Sequence, residues 1–342
     1  MKKTIYNSAG AINIDRPITD RYGRTFNYLR LAVNEHCNLR CIYCMPEEGV
    51  PFKPEDRLLS KDEICKIIKL MVEMGLEKIR FTGGEPLLRN DLVEIIHFAT
   101  QIDLIKEVHL TTNGLLLPKY IDQLLDVNIT GINISLDTLK EDRFKQITRR
   151  VGLNQVLEGL KLAVSSNLKS VKLNVVAMKE FNDDEILDFV DLTKENNITV
   201  RFIELMPFDS RQIWKTGKFY KSDQIISDIK SHFNNIKVVT GSKTEHKIFK
   251  IDGYKGKVAV IPSYTRSLCG NCNRIRITAD GKILNCLYSQ RETNLRDAMR
   301  KRMPNEKIKN VIRRAMHMKL KDGWAAQTEG KERRESMTQI GG

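Results

Sequence analysis

The sequence predicts an α/β fold with a parallel sheet, either closed as a barrel or open and doubly wound. Six short apolar runs alternate with helical patterns along the first 205 residues. Neighbouring parallel strands need a connection long enough to hold a helix, so this alternation indicates parallel pairing. The predicted strands span residues 28–33, 78–82, 108–112, 132–136, 171–176 and 200–205.

A capped helix is predicted between the first two strands. Ser60 and Glu63 have the spacing of a capping box, and Gly75 is placed to end the helix. Helical spacing puts five apolar residues on one face, namely Ile64, Ile67, Ile68, Met71 and Val72. Cys65 also lies in this helix, where a lone cysteine usually packs as a small hydrophobe. A later helix is predicted to begin near Asn182.

The length of 342 residues suggests two domains, or one large α/β domain with an appendage. We predict an N-terminal extension at residues 1–20, the parallel sheet and its helices at 21–240, and a C-terminal domain at 241–342. Beyond the sixth strand the patterns predict a helix and a short strand at 220–240, a strand at 258–262 and a basic helix near 305–320.

The chain is strongly basic, with a formal net charge of +14 at pH 7. Residues 300–342 hold 12 Lys and Arg against 5 Asp and Glu, so half of the excess lies there. This excess of positive charge favours binding to a polyanion, which can be a nucleic acid, an anionic membrane surface or a polyphosphate substrate. Aromatic residues are rare among the C-terminal cations and no Walker-type glycine loop occurs. Neither a base-stacking surface nor a backbone phosphate cradle is therefore predicted.

The sequence also predicts the cellular location of the protein. No apolar run that could serve as the core of a signal peptide follows Met1-Lys2-Lys3, and no stretch is long and apolar enough to span a bilayer. We therefore expect a cytoplasmic protein with no membrane partner. Its thiols would stay reduced, so disulfides are not expected.

Six of the seven cysteines form two triplets, far apart in the sequence. Three thiolates leave one position of a four-coordinate centre open, so each triplet is predicted to hold an iron–sulfur cluster with one iron free for a non-protein ligand. The triplets are Cys37, Cys41 and Cys44, and Cys269, Cys272 and Cys286. The alternative is one structural zinc held by Cys41, Cys44, Cys269 and Cys272. That reading leaves Cys37 and Cys286 unexplained.

Several polar or glycine-rich segments follow the predicted strands directly. The carboxyl ends of parallel strands meet on one rim of a sheet, where reactive groups gather. Taken singly, each segment can be a simple strand-to-helix turn, but together they predict a site on that rim. In chain order they are the first triplet, Gly83-Gly84-Glu85-Pro86, Asn113-Gly114, Ser135 with Asp137, and Met206.

The segment Cys37-Asn38-Leu39-Arg40-Cys41-Ile42-Tyr43-Cys44 resembles the cluster motif of the radical S-adenosylmethionine superfamily. Gly83-Gly84-Glu85-Pro86 resembles the segment that holds the amino group of that cofactor. The resemblance implies that the first triplet binds a [4Fe-4S] cluster, whose open iron is chelated by S-adenosyl-L-methionine. Reduction then releases a 5′-deoxyadenosyl radical. By resemblance the cofactor contacts are Tyr43, Gly83, Gly84, Glu85, Thr111, Asn113, Ser135 and Met206.

From about residue 15 onward the chain also resembles the GTP 3′,8-cyclase family, through the second triplet, Cys272-Asn273-Arg274-Ile275-Arg276 and Gly341-Gly342. This resemblance implies an incomplete (β/α)6 TIM-type barrel with a C-terminal α+β iron–sulfur cluster domain. It implies a second [4Fe-4S] cluster that binds guanine, and a diglycine tail that reaches the active site. The radical would abstract hydrogen from ribose C3′, and the resulting radical would attack guanine C8. One electron and a proton would then yield 3′,8-cyclo-7,8-dihydro-GTP.

The segment around the second triplet predicts a β-hairpin. Polar and apolar residues alternate from Cys272 to Thr278, which places Cys272, Arg274 and Arg276 on one strand face. A two-residue loop would send Cys286 to the opposite face, whereas a three-residue loop with Gly281 left-handed pairs Arg274 with Cys286. We predict the three-residue loop because it gathers all the ligands.

Cations on the predicted strands indicate an anion-binding pocket. Arg274 and Arg276 are predicted to bind phosphate and to support the final reduction, because guanidinium forks match phosphate oxygens. The alternative is a solvated, charged strand face. Alternation lets Arg30, Lys172 and Arg201 point inward, where buried cations need anionic partners. By resemblance these three, with Lys78 and Arg80, belong to the nucleotide pocket.

The resemblance implies particular partners. These are GTP, an electron donor of the flavodoxin or ferredoxin type, and the downstream enzyme cyclic pyranopterin monophosphate synthase, with a homodimer also considered. Two rival functions stay open. One is another radical S-adenosylmethionine enzyme with an auxiliary cluster, such as a peptide-modifying enzyme. The other is a basic, zinc-bearing protein that binds nucleic acid, which the scarcity of aromatic residues disfavours.

Overall fold

The computed structural model describes residues 3–7, 10–206, 218–233, 235–239, 247–265, 269–329 and 336–341. Within these residues the strands form a two-stranded ribbon, β1–β2, and one twelve-stranded sheet. In chain order the strands are β1 Lys3–Asn7, β2 Gly10–Ile14, β3 Tyr28–Ala32, β4 Lys78–Thr82, β5 Glu107–Thr112, β6 Gly131–Ser135, β7 Ser170–Ala177, β8 Thr199–Glu204, β9 Ile236–Val239, β10 Lys247–Ile251, β11 Lys257–Ile261, β12 Arg274–Ile277, β13 Lys282–Leu284 and β14 Thr293–Asn294.

Helices connect the parallel strands and cover the outer face of the sheet. They are α1 Lys61–Glu73, α2 Leu92–Thr100, α3 Leu117–Asp126, α4 Glu141–Thr148, α5 Leu153–Ser165, α6 Ile186–Glu195, α7 Ser222–His232, α8 Arg296–Arg300, α9 Asn305–His317 and α10 Gly323–Thr328. Among the described residues no helix is long and apolar enough to cross a bilayer.

The central part of the sheet is an incomplete barrel. Strands β3 to β8 are parallel and adjacent in chain order, each paired with the next through a helical crossover. The sheet does not close, because β3 and β8 pair with other strands instead of with each other. The predicted (β/α)6 architecture is confirmed, and all six predicted strands are present with ends within a residue or two.

The strands of the C-terminal part extend this sheet at both edges. Strand β12 pairs in parallel with β3, and the hairpin partners β13 and β14 continue beyond it. At the other edge β11 pairs in parallel with β8, followed by β10 and β9. The sheet is therefore continuous across the predicted boundary at residue 240, and the boundary itself stays a prediction.

Local sequence signals explain the first crossover helix. The Ser60 hydroxyl accepts a hydrogen bond from the Glu63 amide at 3.2 Å, and the Glu63 carboxylate accepts one from the Ser60 amide at 2.9 Å. Gly75 follows with φ of 90°, a left-handed conformation that favours glycine. The apolar face of α1 is buried, as its helical spacing predicted.

Apolar side chains pack between the sheet and the helices in one large core, and a smaller separate cluster surrounds Met178. On β7 the outward residues Val171, Leu173 and Val175 are buried, and the residues between them are partly exposed. This alternation leaves the inner face of the curved sheet to polar and charged side chains. The inner face is therefore where the candidate site lies.

Candidate active site

A cavity of about 380 Å³ lies inside the curved sheet. Both cysteine triplets line it, although they are more than 200 residues apart in the chain. The cavity also brings together most of the predicted site residues, which are Arg30, Tyr43, Arg80, Gly83, Gly84, Thr111, Asn113, Ser135, Arg201, Met206, Arg274 and Arg276. Lys78, Glu85 and Lys172 do not line it.

Two arginines hold the loop of the first triplet. The Arg40 guanidinium donates to the carbonyl oxygen of Cys37 at 2.6 Å. The Arg149 guanidinium donates to the carbonyl oxygens of Arg40 and Met45 at 2.9 and 3.0 Å. Arg149 is the C-cap residue of α4 and has a left-handed conformation, with φ of 55°. These bonds fix the backbone that carries Cys37, Cys41 and Cys44.

The thiols of the first triplet lie in a buried environment. Burial raises the pKa of Cys37 to about 11 and that of Cys44 to about 12, and it raises the pKa of Cys41 well above its usual range. Thiolates are nevertheless the form that binds a metal. The triplet therefore suits a cationic group that displaces the three protons.

The glycine pair after β4 packs directly on the first-triplet loop. A Cβ atom on Gly83 would lie 2.4 Å from the carbonyl oxygen of Asn34, and one on Gly84 would lie 2.1 Å from that of His36. No side chain fits at either position. The next residue, Glu85, is fully buried and donates its backbone amide to the carbonyl oxygen of His36 at 2.7 Å.

The Glu85 carboxylate orients its surroundings from behind the cavity wall. It accepts hydrogen bonds from the Leu87 amide at 3.0 Å, the Thr112 hydroxyl at 2.8 Å and the Asn113 amide at 2.7 Å. Burial raises the pKa of Glu85 to about 7, although these bonds oppose the shift. Asn113 in turn points its side-chain amide at the Cys37 sulfur, 3.8 Å away. Glu85 thus connects the glycine segment to the first triplet.

A buried pair positions Tyr43. Its hydroxyl donates to a carboxylate oxygen of Asp137 at 2.6 Å, and the other oxygen accepts from the Val176 amide at 2.7 Å. Burial raises the pKa of Asp137 to about 6, against the effect of both bonds. Asp137 lines the cavity and was noted in the sequence only as a residue that closes a strand. Its role in fixing Tyr43 could not be read from the local pattern.

The hairpin of the second triplet has the predicted register. Arg276 pairs with Leu284 and Ile277 with Ile283, which places Arg274 opposite Cys286. The loop has three residues between Thr278 and Lys282, and Gly281 is left-handed with φ of 77°. The prediction of a three-residue loop is confirmed. Cys272, Cys286 and both arginines consequently line the same cavity.

Five arginines project into the cavity from four strands. Arg80, Arg201 and Arg276 are 3%, 4% and 5% exposed, so their charges are almost completely removed from water. Burial lowers the pKa of Arg276 well below its usual range, and the nearby Arg30 and Arg274 lower it further. Within the described part of the chain, Nε and Nη2 of Arg80 and Nη1 of Arg276 have no hydrogen-bond partner. Such a cluster is costly to bury alone and suits a polyanion.

Comparisons with known proteins agree with this geometry. The family model described as the radical SAM superfamily matches residues 31–193, and the model described as Molybdenum Cofactor Synthesis C matches residues 198–323. The chain is 40% identical to the GTP 3′,8-cyclase of Chlorobaculum tepidum, over 95% of this chain and 97% of that protein. It belongs to the GTP 3′,8-cyclase family. The Alkaliphilus oremlandii member is 41% identical over 94% of this chain and 99% of its own length.

Longer relatives occur in animals. The chain is 42% identical to the Drosophila melanogaster protein named Molybdenum cofactor biosynthesis protein 1, over 89% of this chain but only 54% of that protein. It therefore spans about half the length of this relative. Among solved structures, Streptococcus suis SuiB bound to S-adenosylmethionine covers 79% of this chain and 63% of its own length, with a TM-score of 0.57 and 15% identity. This likeness shows the fold alone.

As in other members of the GTP 3′,8-cyclase family, two [4Fe-4S] clusters and S-adenosyl-L-methionine are the cofactors of this chain. Among the described residues, no three His, Cys, Asp or Glu side chains are grouped to hold a single metal ion. In a [4Fe-4S] cluster each cysteine binds a different iron, so that finding concerns single ions only. The residues fit the clusters by their donor set, which is two triplets of thiols around one cavity.

Two lysines predicted for the nucleotide pocket, Lys78 and Lys172, do not line the cavity. Lys78 Nζ is 2.7 Å from the Glu107 carboxylate and 5.3 Å from the centre of the Tyr28 ring. The Arg80 and Arg30 guanidinium groups lie 5.7 and 6.0 Å from the same ring. Burial would raise the pKa of Tyr28, but the surrounding cations outweigh it and lower the pKa to about 7. Lys78 thus adds to the positive charge around Tyr28, and Glu107 balances its own charge.

The second of these cations is Lys172. It lies on β7, opposite Thr199 of the neighbouring strand β8. The nucleotide-binding roles of Lys78 and Lys172 stay predictions.

The C-terminal residues dock against the first triplet, as the family resemblance implied. The short 3₁₀ turn Met337–Ile340 donates its first amide to the carbonyl oxygen of Cys44 at 3.2 Å. A Cβ atom on Gly341 would lie 2.9 Å from that of Ala32, so glycine permits the close approach. Residues 330–335 and Gly342 lie outside the described residues. Met337 and Thr338 line the cavity, although the basic, polar composition of residues 331–342 is typical of disordered segments.

Lys319 is a cavity residue that sequence reasoning missed. It was counted as part of a basic helix, yet it is only 4% exposed. A signal was available, because Lys319 continues the spacing of Ile308, Ile312 and Met316, which are buried on α9, just beyond the end of that helix. A charged residue in line with the apolar face of a helix indicates a buried partner.

Proposed function

We propose that the chain catalyses the cyclisation of GTP to 3′,8-cyclo-7,8-dihydro-GTP, the first step of molybdenum cofactor biosynthesis. The observation that carries the proposal is the convergence of two cysteine triplets and five arginines on one cavity. Three thiols on each side suit two clusters with open irons. The arginines suit a triphosphate, and the polar residues of the strand ends suit a second small molecule.

The first triplet would hold the cluster that takes up S-adenosyl-L-methionine. When bound, the cluster and this cofactor supply a 5′-deoxyadenosyl radical. The glycine segment and the Tyr43 side chain, fixed by Asp137, would orient the cofactor. The proposed contacts are Tyr43, Gly83, Gly84, Glu85, Thr111, Asn113, Ser135 and Met206. Glu85 would act from behind the wall, through Asn113 and Thr112.

The second triplet would hold the cluster that faces the guanine ring. Arg30, Lys78, Arg80, Lys172 and Arg201 would hold the triphosphate. Arg274 and Arg276, on the strand beside that of Arg30, would orient it and support delivery of the final electron and proton, and they are the proposed catalytic residues. Buried guanidinium groups keep water out of the cavity and strengthen each bond to phosphate.

The reaction consumes electrons, so the chain needs a reducing partner. We propose a donor of the flavodoxin or ferredoxin type, with the product passing to cyclic pyranopterin monophosphate synthase. A cytoplasmic location is proposed because the cluster thiols must stay reduced. Homodimer formation belongs to the same proposal.

The test is release of 5′-deoxyadenosine by the anaerobically reconstituted, reduced protein supplied with S-adenosyl-L-methionine. We expect GTP to stimulate release strongly, and we expect ATP to behave like the sample without nucleotide. Release that is equal in all three samples would contradict the substrate assignment and favour a peptide-modifying enzyme. A colourless preparation that contains zinc and releases nothing would favour the nucleic-acid-binding alternative.

A further inference from the structure

Lys319 follows α9 and places its ammonium group beside the second triplet. Its side chain lines the cavity together with Cys269, Cys272 and Cys286. The Nζ atom donates a hydrogen bond to the carbonyl oxygen of Asn285, the residue before Cys286. It also lies 5.6 Å from the centre of the Phe26 ring, which forms part of the core. This lysine is therefore held in place from two sides.

The position of this ammonium group requires an anion. Among the described residues Lys319 forms no ion pair with a carboxylate, and one carbonyl oxygen is its hydrogen-bond acceptor. A buried ammonium with no counter-charge is expensive, because burial removes its hydration. Its hydrogen bond to Asn285 sets the ammonium group next to Cys286, so the thiols of the second triplet are neighbouring groups that become negative when they bind iron.

The reduction potential of an iron–sulfur cluster depends on nearby charge, since the reduced form is the more negative one. A fixed ammonium group beside the second triplet therefore favours the reduced form of a cluster held there.

We propose that Lys319 is the counter-charge of the second cluster, and that it makes this cluster easier to reduce than it would be without that charge. The inference rests on the proposed function, because it assigns a cluster to Cys269, Cys272 and Cys286. Lys319 is a positioning residue in this account. It acts on the cluster through its charge and binds no part of the nucleotide.

The test measures the reduction potential of the second cluster by itself. The parent is the full chain with Cys37, Cys41 and Cys44 all replaced by alanine, so that one cluster remains. Its midpoint potential is titrated with dithionite and followed by electron paramagnetic resonance, with no nucleotide and no S-adenosyl-L-methionine present. We expect K319Q to disfavour the reduced form at least tenfold, a fall of 59 mV for one electron. K319R keeps the charge and should stay close to the parent.

Lys309→Gln is the matched control. Lys309 is also a buried lysine of the α9 region, but it pairs with Glu73 and Glu306 and does not line the cavity. Its replacement should leave the potential unchanged. Iron content is measured for every variant, so that a loading failure is also informative. A cluster lost in K319Q but kept in K319R supports a role for the charge.

Three outcomes would overturn the inference. An unchanged reduction potential in K319Q would show that the charge does not act on the cluster. If K319Q also bound GTP more weakly, Lys319 would be a nucleotide-binding residue instead. Loss of the cluster in both K319Q and K319R would point to side-chain shape instead of charge. A parent chain that binds no iron–sulfur cluster would overturn the proposed function itself, a failure that is visible before any Lys319 variant is made.

Discussion

Replacing Arg276 by alanine should lower the rate of GTP cyclisation by at least about 100-fold, comparable to the loss of one preorganised donor in other active sites. Arg276 is almost fully buried, lines the cavity, and has a guanidinium N–H without a partner among the described residues. It belongs to the hairpin of the second triplet, so 5′-deoxyadenosine release should fall much less. The measurement is the ratio of cyclised product to 5′-deoxyadenosine, by liquid chromatography.

Arg296→Ala is the control for loss of a buried arginine. Arg296 is 9% exposed and binds the Arg57 carbonyl oxygen and Asp297, away from the cavity lining. This variant should keep the wild-type product ratio even if it is less stable. An equal fall of product and of 5′-deoxyadenosine in Arg276→Ala would contradict a late role for this residue.

The two triplets should respond differently to loss of one ligand. Cys41→Ala should lose the first cluster, and with it all 5′-deoxyadenosine release. Cys272→Ala should lose the second cluster but still cleave S-adenosyl-L-methionine, without stimulation by GTP. Because each triplet would hold one [4Fe-4S] cluster, both variants should fall from about eight to about four irons per chain. Iron analysis and 5′-deoxyadenosine release measured on the same samples check both expectations.

Cys65→Ala is the matched cysteine control. Cys65 lies on α1 and does not line the cavity, so its replacement should change neither iron content nor release. If Cys41→Ala and Cys272→Ala both lost all 5′-deoxyadenosine release, the assignment of different roles to the two triplets would be wrong. Loss of all iron in either variant would indicate one shared metal centre.

Local sequence patterns predicted the central strands and helices, because apolar spacing, helix capping and turn residues all indicate the same structure there. The strand from Lys78 to Thr82 carries the apolar residues Ile79 and Phe81 on its outer face, and the helix that precedes it has its own cap and stop. The three-residue hairpin loop was predictable because only one register gathers Cys272, Arg274 and Cys286 on one face. Alternation and turn chemistry are properties of a few neighbouring residues, so a sequence displays them directly.

Pairings between distant parts of the chain were not predictable in the same way. The sequence of β12 does not indicate that it pairs with β3, and the sequence of β11 does not indicate that it pairs with β8. Parallel pairing between distant strands has no local sequence signal. The burial of Lys319 and the hydrogen bond from Tyr43 to Asp137 depend on those pairings. Docking of residues 336–341 came from family resemblance only, since their composition carries no signal for it.

The central claim is that the cavity holds GTP with its ribose C3′ turned toward the first cluster and the bound cofactor. The most direct measurement supplies GTP deuterated at C3′ to the reduced, reconstituted chain and determines deuterium in the released 5′-deoxyadenosine by mass spectrometry. The account predicts that the 5′-deoxyadenosine carries one deuterium atom. Unlabelled 5′-deoxyadenosine, released at the GTP-stimulated rate, would mean that hydrogen is taken from another position and would contradict the account.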